Sequence, residues 1–153
     1  MNTLHIGKYI SVLLTGLMVV LGSCTATESL AQATTTQTTA KQKLHYAVLI
    51  SQPNHLKAAV NTAETITPSS QYNRGNFVIM ACSKSVEAFV KGSGMTEAYD
   101  KGKAAGVTYK VCGLSLLQFN IDPATLLDGV EVIPNGLTYM IDLQRQGYTT
   151  VEL

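Results

Sequence analysis

Apolar and polar residues follow a different period in each block of the chain beyond residue 43. Residues 44–50 are apolar at both alternating sets of positions, which is typical of a strand covered on both faces. From Leu56 to Ile66, apolar residues recur at helical spacing, so one stripe of a helix is predicted to pack against that strand. We therefore expect a central strand followed by an amphipathic helix.

The same order then repeats. Residues 77–82 form a second continuous apolar run, and a short helix is predicted over residues 86–90 with Ser83 or Ser85 as its cap. The later elements are expected to alternate as helix, strand, short helix, strand, helix and strand at residues 95–105, 107–112, 114–119, 130–133, 137–146 and 148–153. This alternation predicts an α/β fold, a mainly parallel sheet of about five strands with helices on both faces.

The beginning of the chain has the pattern of an export signal. Lys8 precedes an apolar run at residues 9–21, which is shorter than the roughly 20 residues that a membrane-spanning helix needs. Residues 21–24 (LGSC) then resemble the lipobox of bacterial lipoproteins, which predicts a signal peptide at residues 1–23 and lipidation of Cys24. Cleavage after residues 31–33 (AQA), giving a soluble periplasmic protein, is the alternative.

Residues 24–43 are rich in threonine and contain little that is apolar, so they are predicted to form a flexible tether. The folded domain is expected at residues 44–153. If Cys24 is lipidated, Thr25 beside it carries no aspartate-type retention signal for the inner membrane. The expected location is then the periplasmic side of the bacterial cell envelope, anchored in the outer membrane.

Composition excludes several function classes. Hydrophobic residues make up 46% of the 153 residues and charged residues 14%, as expected of a chain with a packed core. The formal charge of +1 does not favour nucleic-acid binding. His45 and His55 have no partners at metal-ligand spacing, and no glycine-rich phosphate loop follows the first strand, so we expect no metal and no cofactor.

Two of the three cysteines, Cys82 and Cys112, end predicted strands, at the edge where open parallel sheets bind ligands. Cys112 precedes Gly113 and a short helix, whose N-terminal N–H groups favour a thiolate. Lys110 shares its strand face and is expected to add positive charge. The alternative is that Cys112 is buried and packs as a small apolar residue without a chemical role.

Weaker candidates surround this cysteine. Cys82 is either a second thiol that pairs with Cys112, if the two strands are neighbours with Cα atoms within about 7 Å, or a buried strand-end cysteine. Ser83, Asn135 and Gly136 offer backbone donors for an anionic ligand, or act as an ordinary cap and turn.

Several segments, in the same order along the chain, resemble the DsrE/DsrF-like family of sulfur-relay proteins. They are residues 55–59 (HLKAA), 106–116 (GVTYKVCGLSL), 121–123 (IDP), 132–136 (VIPNG) and 143–148 (LQRQGY). Cys112 falls on the family's sulfur-carrying cysteine. The resemblance implies a three-layer α/β/α fold, a homotrimer or homohexamer, and transfer of sulfane sulfur between donor and acceptor proteins or small thiols.

The function predicted from the sequence is therefore an exported carrier that holds sulfur as a persulfide on Cys112. An accessible cysteine of low pKa is sufficient for this chemistry, without a metal or organic cofactor. The alternatives are a non-catalytic oligomeric module that binds a small molecule or a protein, and a redox sensor that uses Cys82 with Cys112.

Overall fold

The computed structural model describes residues 42–153, and the predicted signal peptide, Cys24 and most of the tether lie outside this range. The strands are β1 Leu44–Ile50, β2 Arg74–Ala81, β3 Val107–Cys112, β4 Glu131–Ile133 and β5 Thr149–Glu152. The α-helices are α1 His55–Thr65, α2 Thr96–Ala104, α3 Gly113–Gln118 and α4 Gly136–Arg145. Two 3-10 helices, Ser83–Phe89 and Pro123–Thr125, complete the described fold. None of these helices is long and apolar enough to cross a membrane.

The five strands form one parallel sheet in the order β4-β3-β2-β1-β5. Strand β1 is interior, as its fully apolar pattern predicts, with β2 on one side and β5 on the other. Strands β2 and β3 are neighbours, and their register places Ala81 opposite Val111. The residues that follow these two on each strand are Cys82 and Cys112.

A separate apolar cluster covers each face of the sheet. On one face, residues of α1 and α2 pack against β1, β2 and β3, and Leu116 of α3 joins them. On the other face, Met140 and Leu143 of α4 pack against the alternate positions of the same strands. The three-layer α/β/α fold with a sheet of five parallel strands is thus confirmed.

The predicted serine cap after β2 is wrong. Cys82 stands at the N-cap position, and no side chain caps the 3-10 helix that follows. The buried hydroxyl of Ser85 donates instead to the carbonyls of Ile50 and Cys82, at 2.8 and 2.6 Å, and so joins the ends of β1 and β2. A buried hydroxyl requires such partners, and the carbonyls at the strand ends supply them.

A buried arginine joins the ends of two helices to the start of β2. The Arg74 side chain donates to the carbonyl of Ala63 near the end of α1, at 3.2 Å, and to the carbonyl of Ala105 just after α2. The last carbonyls of a helix have no partner within the helix, and Arg74, which is only 6% exposed, provides one for each helix.

We predict that Arg74→Met lowers the free energy of unfolding by about 2 to 3 kcal/mol, because two carbonyls lose their donor at a buried site. Urea unfolding followed by circular dichroism measures the change. Arg145→Met is the matched control, since the Arg145 side chain is 81% exposed and lies 3.8 Å from Asp142. That variant should shift stability by no more than about 0.5 kcal/mol, and an equal loss in both variants would contradict the role given to Arg74.

Candidate functional site

The two described cysteines lie side by side at the carboxyl edge of the sheet. Cys112 is the last residue of β3 and Cys82 directly follows β2. Both side chains point to the face covered by α4, and both residues are buried, at 5% and 8% exposure. The thiol of Cys82 is hydrogen-bonded to the sulfur of Cys112. The strands that carry them are neighbours, which is the first of the two conditions that the sequence analysis set for a thiol pair.

Hydrogen-bond donors converge on the sulfur of Cys112. The Gly136 N–H donates to it across 3.4 Å. It also accepts hydrogen bonds from the Ser115 hydroxyl and from the N–H groups of Ser115 and Leu114. Burial acts to raise the pKa of Cys112, but these hydrogen bonds outweigh it and bring the pKa below the ordinary value of 9.0. Cys112 therefore loses its proton more readily than an ordinary cysteine does.

Cys82 has the opposite tendency. Burial, the charge of a Cys112 thiolate, the hydrogen bond between the two sulfurs and the charge of Glu152 raise the pKa of Cys82 from 9.0 to about 12. Cys82 is thus the proton donor of the pair and Cys112 the acceptor. Cys112 is therefore the first of the two sulfurs to ionise.

The first residue of α4 must be glycine for this arrangement to exist. A Cβ atom on Gly136 would lie 2.5 Å from the Cys82 sulfur, 2.5 Å from Met80 Cε and 3.3 Å from Cys112 Cβ. Real Cβ atoms essentially never come as close as the first two distances. The absence of a side chain lets the start of α4 reach both cysteines and place its N–H on Cys112.

Lys110 and Gly113 have smaller roles than the sequence indicated. The Lys110 ammonium is paired with Glu131, its neighbour on β4, so its charge is already compensated. The hydrogen bonds described above, rather than Lys110, lower the pKa of Cys112. Gly113 begins α3, and a Cβ atom there would make ordinary contacts of 3.4 Å with the carbonyls of Ile133 and Pro134.

The predicted anion donors are occupied within the protein. The N–H of Ser83, a residue in the left-handed region with φ of 53°, donates to the Ser115 hydroxyl oxygen at 2.8 Å. The Asn135 side chain accepts from the N–H groups of Leu137 and Thr138, so it is the N-cap of α4. Of these three predicted residues, Gly136 is the one whose N–H reaches Cys112.

Ser115 is the site residue that the sequence analysis missed. It is 6% exposed; its oxygen accepts from Ser83 and its hydroxyl reaches Cys112. The spacing offered a signal, since a hydroxyl three residues after a helix-capping residue is placed to contact that cap. Ser115 thus connects Ser83, which follows Cys82, to the sulfur of Cys112.

An open apolar groove adjoins the cysteine pair. It has a volume of about 390 Å³ and lies between α3 and β4. Its lining residues are Gly113, Leu114, Leu116, Leu117, Ile121, Pro123, Val132 and Pro134. Leu114 and Leu117 are 55% and 76% exposed, so the surface beside Cys112 is apolar while Cys112 itself is buried. The accessible cysteine expected from the sequence is thus not what the described conformation presents.

No group of three or more histidine, cysteine or carboxylate side chains within residues 42–153 is arranged to hold a metal ion.

A family model settles the relationship of this fold to known proteins. The model of the DsrE/DsrF-like family matches residues 45–153, which includes every element of the sheet and both thiols. The chain belongs to the DsrE/DsrF-like family. The comparison with curated proteins gave no significant match.

Solved structures agree with the DsrE/DsrF-like assignment at the level of the fold. MTH1491 of Methanobacterium thermoautotrophicum, a protein of unknown function, superposes with a TM-score of 0.65 at 16% identity, over 72% of this chain and all of its own. The ychN protein of E. coli gives 0.56 at 18% identity, over 73% of this chain and all of its own. BT1422 of Bacteroides thetaiotaomicron, also of unknown function, gives 0.54 at 13% identity, over 71% and 94%.

Gly136→Ala tests the arrangement of this DsrE/DsrF-like site. The added methyl group would lie 2.5 Å from the Cys82 sulfur and from Met80 Cε, so these side chains or α4 must shift; we expect a shift of α4 that weakens the Gly136 hydrogen bond to Cys112. We predict that alkylation of Cys112 by iodoacetamide shifts to higher pH and that the protein unfolds at a lower temperature. Peptide mapping after alkylation at a series of pH values measures the shift.

Gly113→Ala is the matched control, because it adds the same methyl group in the same crevice at ordinary contact distances. Its alkylation profile should stay close to that of the native protein. An unchanged profile in Gly136→Ala would show that the contact of α4 does not set the pKa of Cys112.

Proposed function

We propose that this DsrE/DsrF-like protein carries sulfane sulfur as a persulfide on Cys112. The observation that carries the proposal is the set of donors from α3 and α4 that favour a thiolate on Cys112 although it is buried. A thiolate is the nucleophile in thiol–disulfide and persulfide exchange. The family assignment supports the same role, because the cysteine concerned is the last residue of β3 and lies within the matched residues.

The proposed reaction needs only sulfur nucleophiles. The Cys112 thiolate attacks the terminal sulfur of a donor persulfide; a new S–S bond forms, the donor S–S bond breaks, and the donor leaves as a thiolate that takes up a proton. An acceptor thiolate then attacks the outer sulfur on Cys112 and releases Cys112 as a thiolate. The donors around Cys112 stabilise this leaving group, and no metal or organic cofactor takes part.

Burial of Cys112 defines where a donor must approach. The residues in contact with its sulfur belong to the first turns of α3 and α4, so a reactant has access only when one of these turns moves aside. The apolar groove beside α3 is the adjoining surface on which a donor or acceptor protein would dock. The partners we propose are proteins or small thiols that donate and accept sulfur.

The same proposal includes export and assembly. The export pattern at residues 8–21 and the lipobox-like residues 21–24 support a lipid anchor on Cys24. The anchor would lie in the outer membrane, and the folded domain on the periplasmic side of the cell envelope. Exposed apolar residues on α3 and α4, among them Leu117, Leu137 and Ile141, support assembly into a homotrimer or homohexamer.

A non-catalytic binding module is the second candidate function. The observation that favours it is the combination of a buried Cys112 with an open apolar groove of about 390 Å³ at its side. In that case Cys112 is a packing residue, and the groove binds a small apolar molecule or a protein segment.

We predict that the reduced protein gains the mass of one sulfur atom after exposure to polysulfide, and that dithiothreitol removes it. Intact-mass measurement under native conditions detects the gain. The protein carries Cys24→Ser, so that the Cys24 thiol adds no sulfur of its own, and Cys112→Ser in that background should abolish the gain. A native protein that takes up sulfur only after denaturation would contradict the carrier function and favour the binding module.

A further inference from the structure

The register of the sheet places the two thiols within reach of a covalent bond. Ala81 and Val111 are paired across β2 and β3, and Cys82 and Cys112 follow them on neighbouring strands. The backbones of neighbouring strands lie about 4.8 Å apart, and disulfides join residues whose Cα atoms are about 4.4 to 6.8 Å apart. No displacement of the strands is needed to bring the two sulfurs together.

The two side chains lie on the same face of the sheet. Both belong to the cluster under α4, and the Cys82 thiol donates a hydrogen bond to the Cys112 sulfur. Gly136 lies against both cysteines on the α4 side. A sulfur atom added to Cys112 leaves its Sγ beside Cys82.

We infer that Cys82 resolves the persulfide of Cys112, releasing hydrogen sulfide and leaving a Cys82–Cys112 disulfide. The inference rests on the proposed function, because it begins from the loaded carrier. The Cys82 sulfur attacks the Sγ of Cys112, a bond forms between the two cysteine sulfurs, and the bond to the outer sulfur breaks. The outer sulfur leaves as sulfide with the Cys82 proton and its own, so the sulfane sulfur is reduced and the two cysteines are oxidised.

This step limits the lifetime of the loaded carrier. While Cys82 keeps its proton, which its burial favours, attack on the neighbouring persulfide is slow and an acceptor thiol has time to take the sulfur. When no acceptor arrives, the sulfur is released as sulfide. The disulfide then blocks further loading until an external thiol reduces it.

The experiment uses the full chain with Cys24→Ser, in which Cys82 and Cys112 are the only cysteines. The reduced protein is loaded with polysulfide in the absence of oxygen, freed of excess reagent and incubated without added thiol. We predict release of one sulfide per disulfide formed, at a rate independent of protein concentration. Trypsin separates the cysteines into residues 75–84 and 111–145, so a linked pair of these peptides identifies the bond.

Cys82→Ser is the matched variant, because a serine hydroxyl keeps a hydrogen-bond donor beside Cys112 and cannot form a disulfide. It should load as the native pair does and hold its sulfur roughly tenfold longer or more, since the internal nucleophile is gone. Loading with equal lifetimes in both proteins and no linked peptides would overturn the inference and leave the carrier function standing. Failure of the native pair to load would instead overturn the proposed function.

A second arm tests the pairing without a persulfide. Diamide, which oxidises adjacent thiols to disulfides, should produce the same linked peptides in the folded protein. Absence of the linked peptides after diamide would overturn the pairing of Cys82 with Cys112, whatever the outcome with polysulfide.

Discussion

The close approach of the first turn of α4 to the ends of β2 and β3 is the contact on which the site depends. Gly136 has no side chain, so its N–H reaches the sulfur of Cys112 at 3.4 Å and its Cα lies against both cysteines. The same approach buries the pair, which by itself would keep both thiols protonated. At Cys112, burial and hydrogen bonding shift the pKa in opposite directions, and hydrogen bonding prevails. At Cys82, burial prevails and the pKa is raised.

The difference between the cysteines follows from where the donors point. Backbone N–H groups and the Ser115 hydroxyl converge on Cys112 and favour its charged form. None of the causes that raise the pKa of Cys82 is a donor to its sulfur, and Cys82 itself donates to Cys112. Two chemically identical side chains on adjacent strands thus acquire opposite tendencies. The pair combines a nucleophile, Cys112, which the proposed carrier requires, with a second thiol, Cys82, which the resolving step requires.

The pattern of apolar residues predicted the fold well because burial dictates it directly. The continuous apolar runs of β1 and β2 and the helical stripe of α1 reflect contacts with helices or strands on both sides. The site was predicted only in part. Strand ends placed Cys82 and Cys112 at one edge, but the sequence does not reveal that β2 and β3 are neighbours, that Lys110 is paired with Glu131, or that Ser115 and Gly136 meet at the sulfur. Those facts depend on tertiary contacts between distant segments, for which local periodicity carries no signal.

The most direct test of this account is a pH titration of the two thiols, observed separately by NMR of isotope-labelled cysteine Cβ atoms. The account predicts that Cys112 loses its proton with a midpoint below 9.0, while Cys82 keeps its proton until the pH approaches about 12. A Cys112 midpoint at or above 9.0, or deprotonation of Cys82 before Cys112, would contradict it.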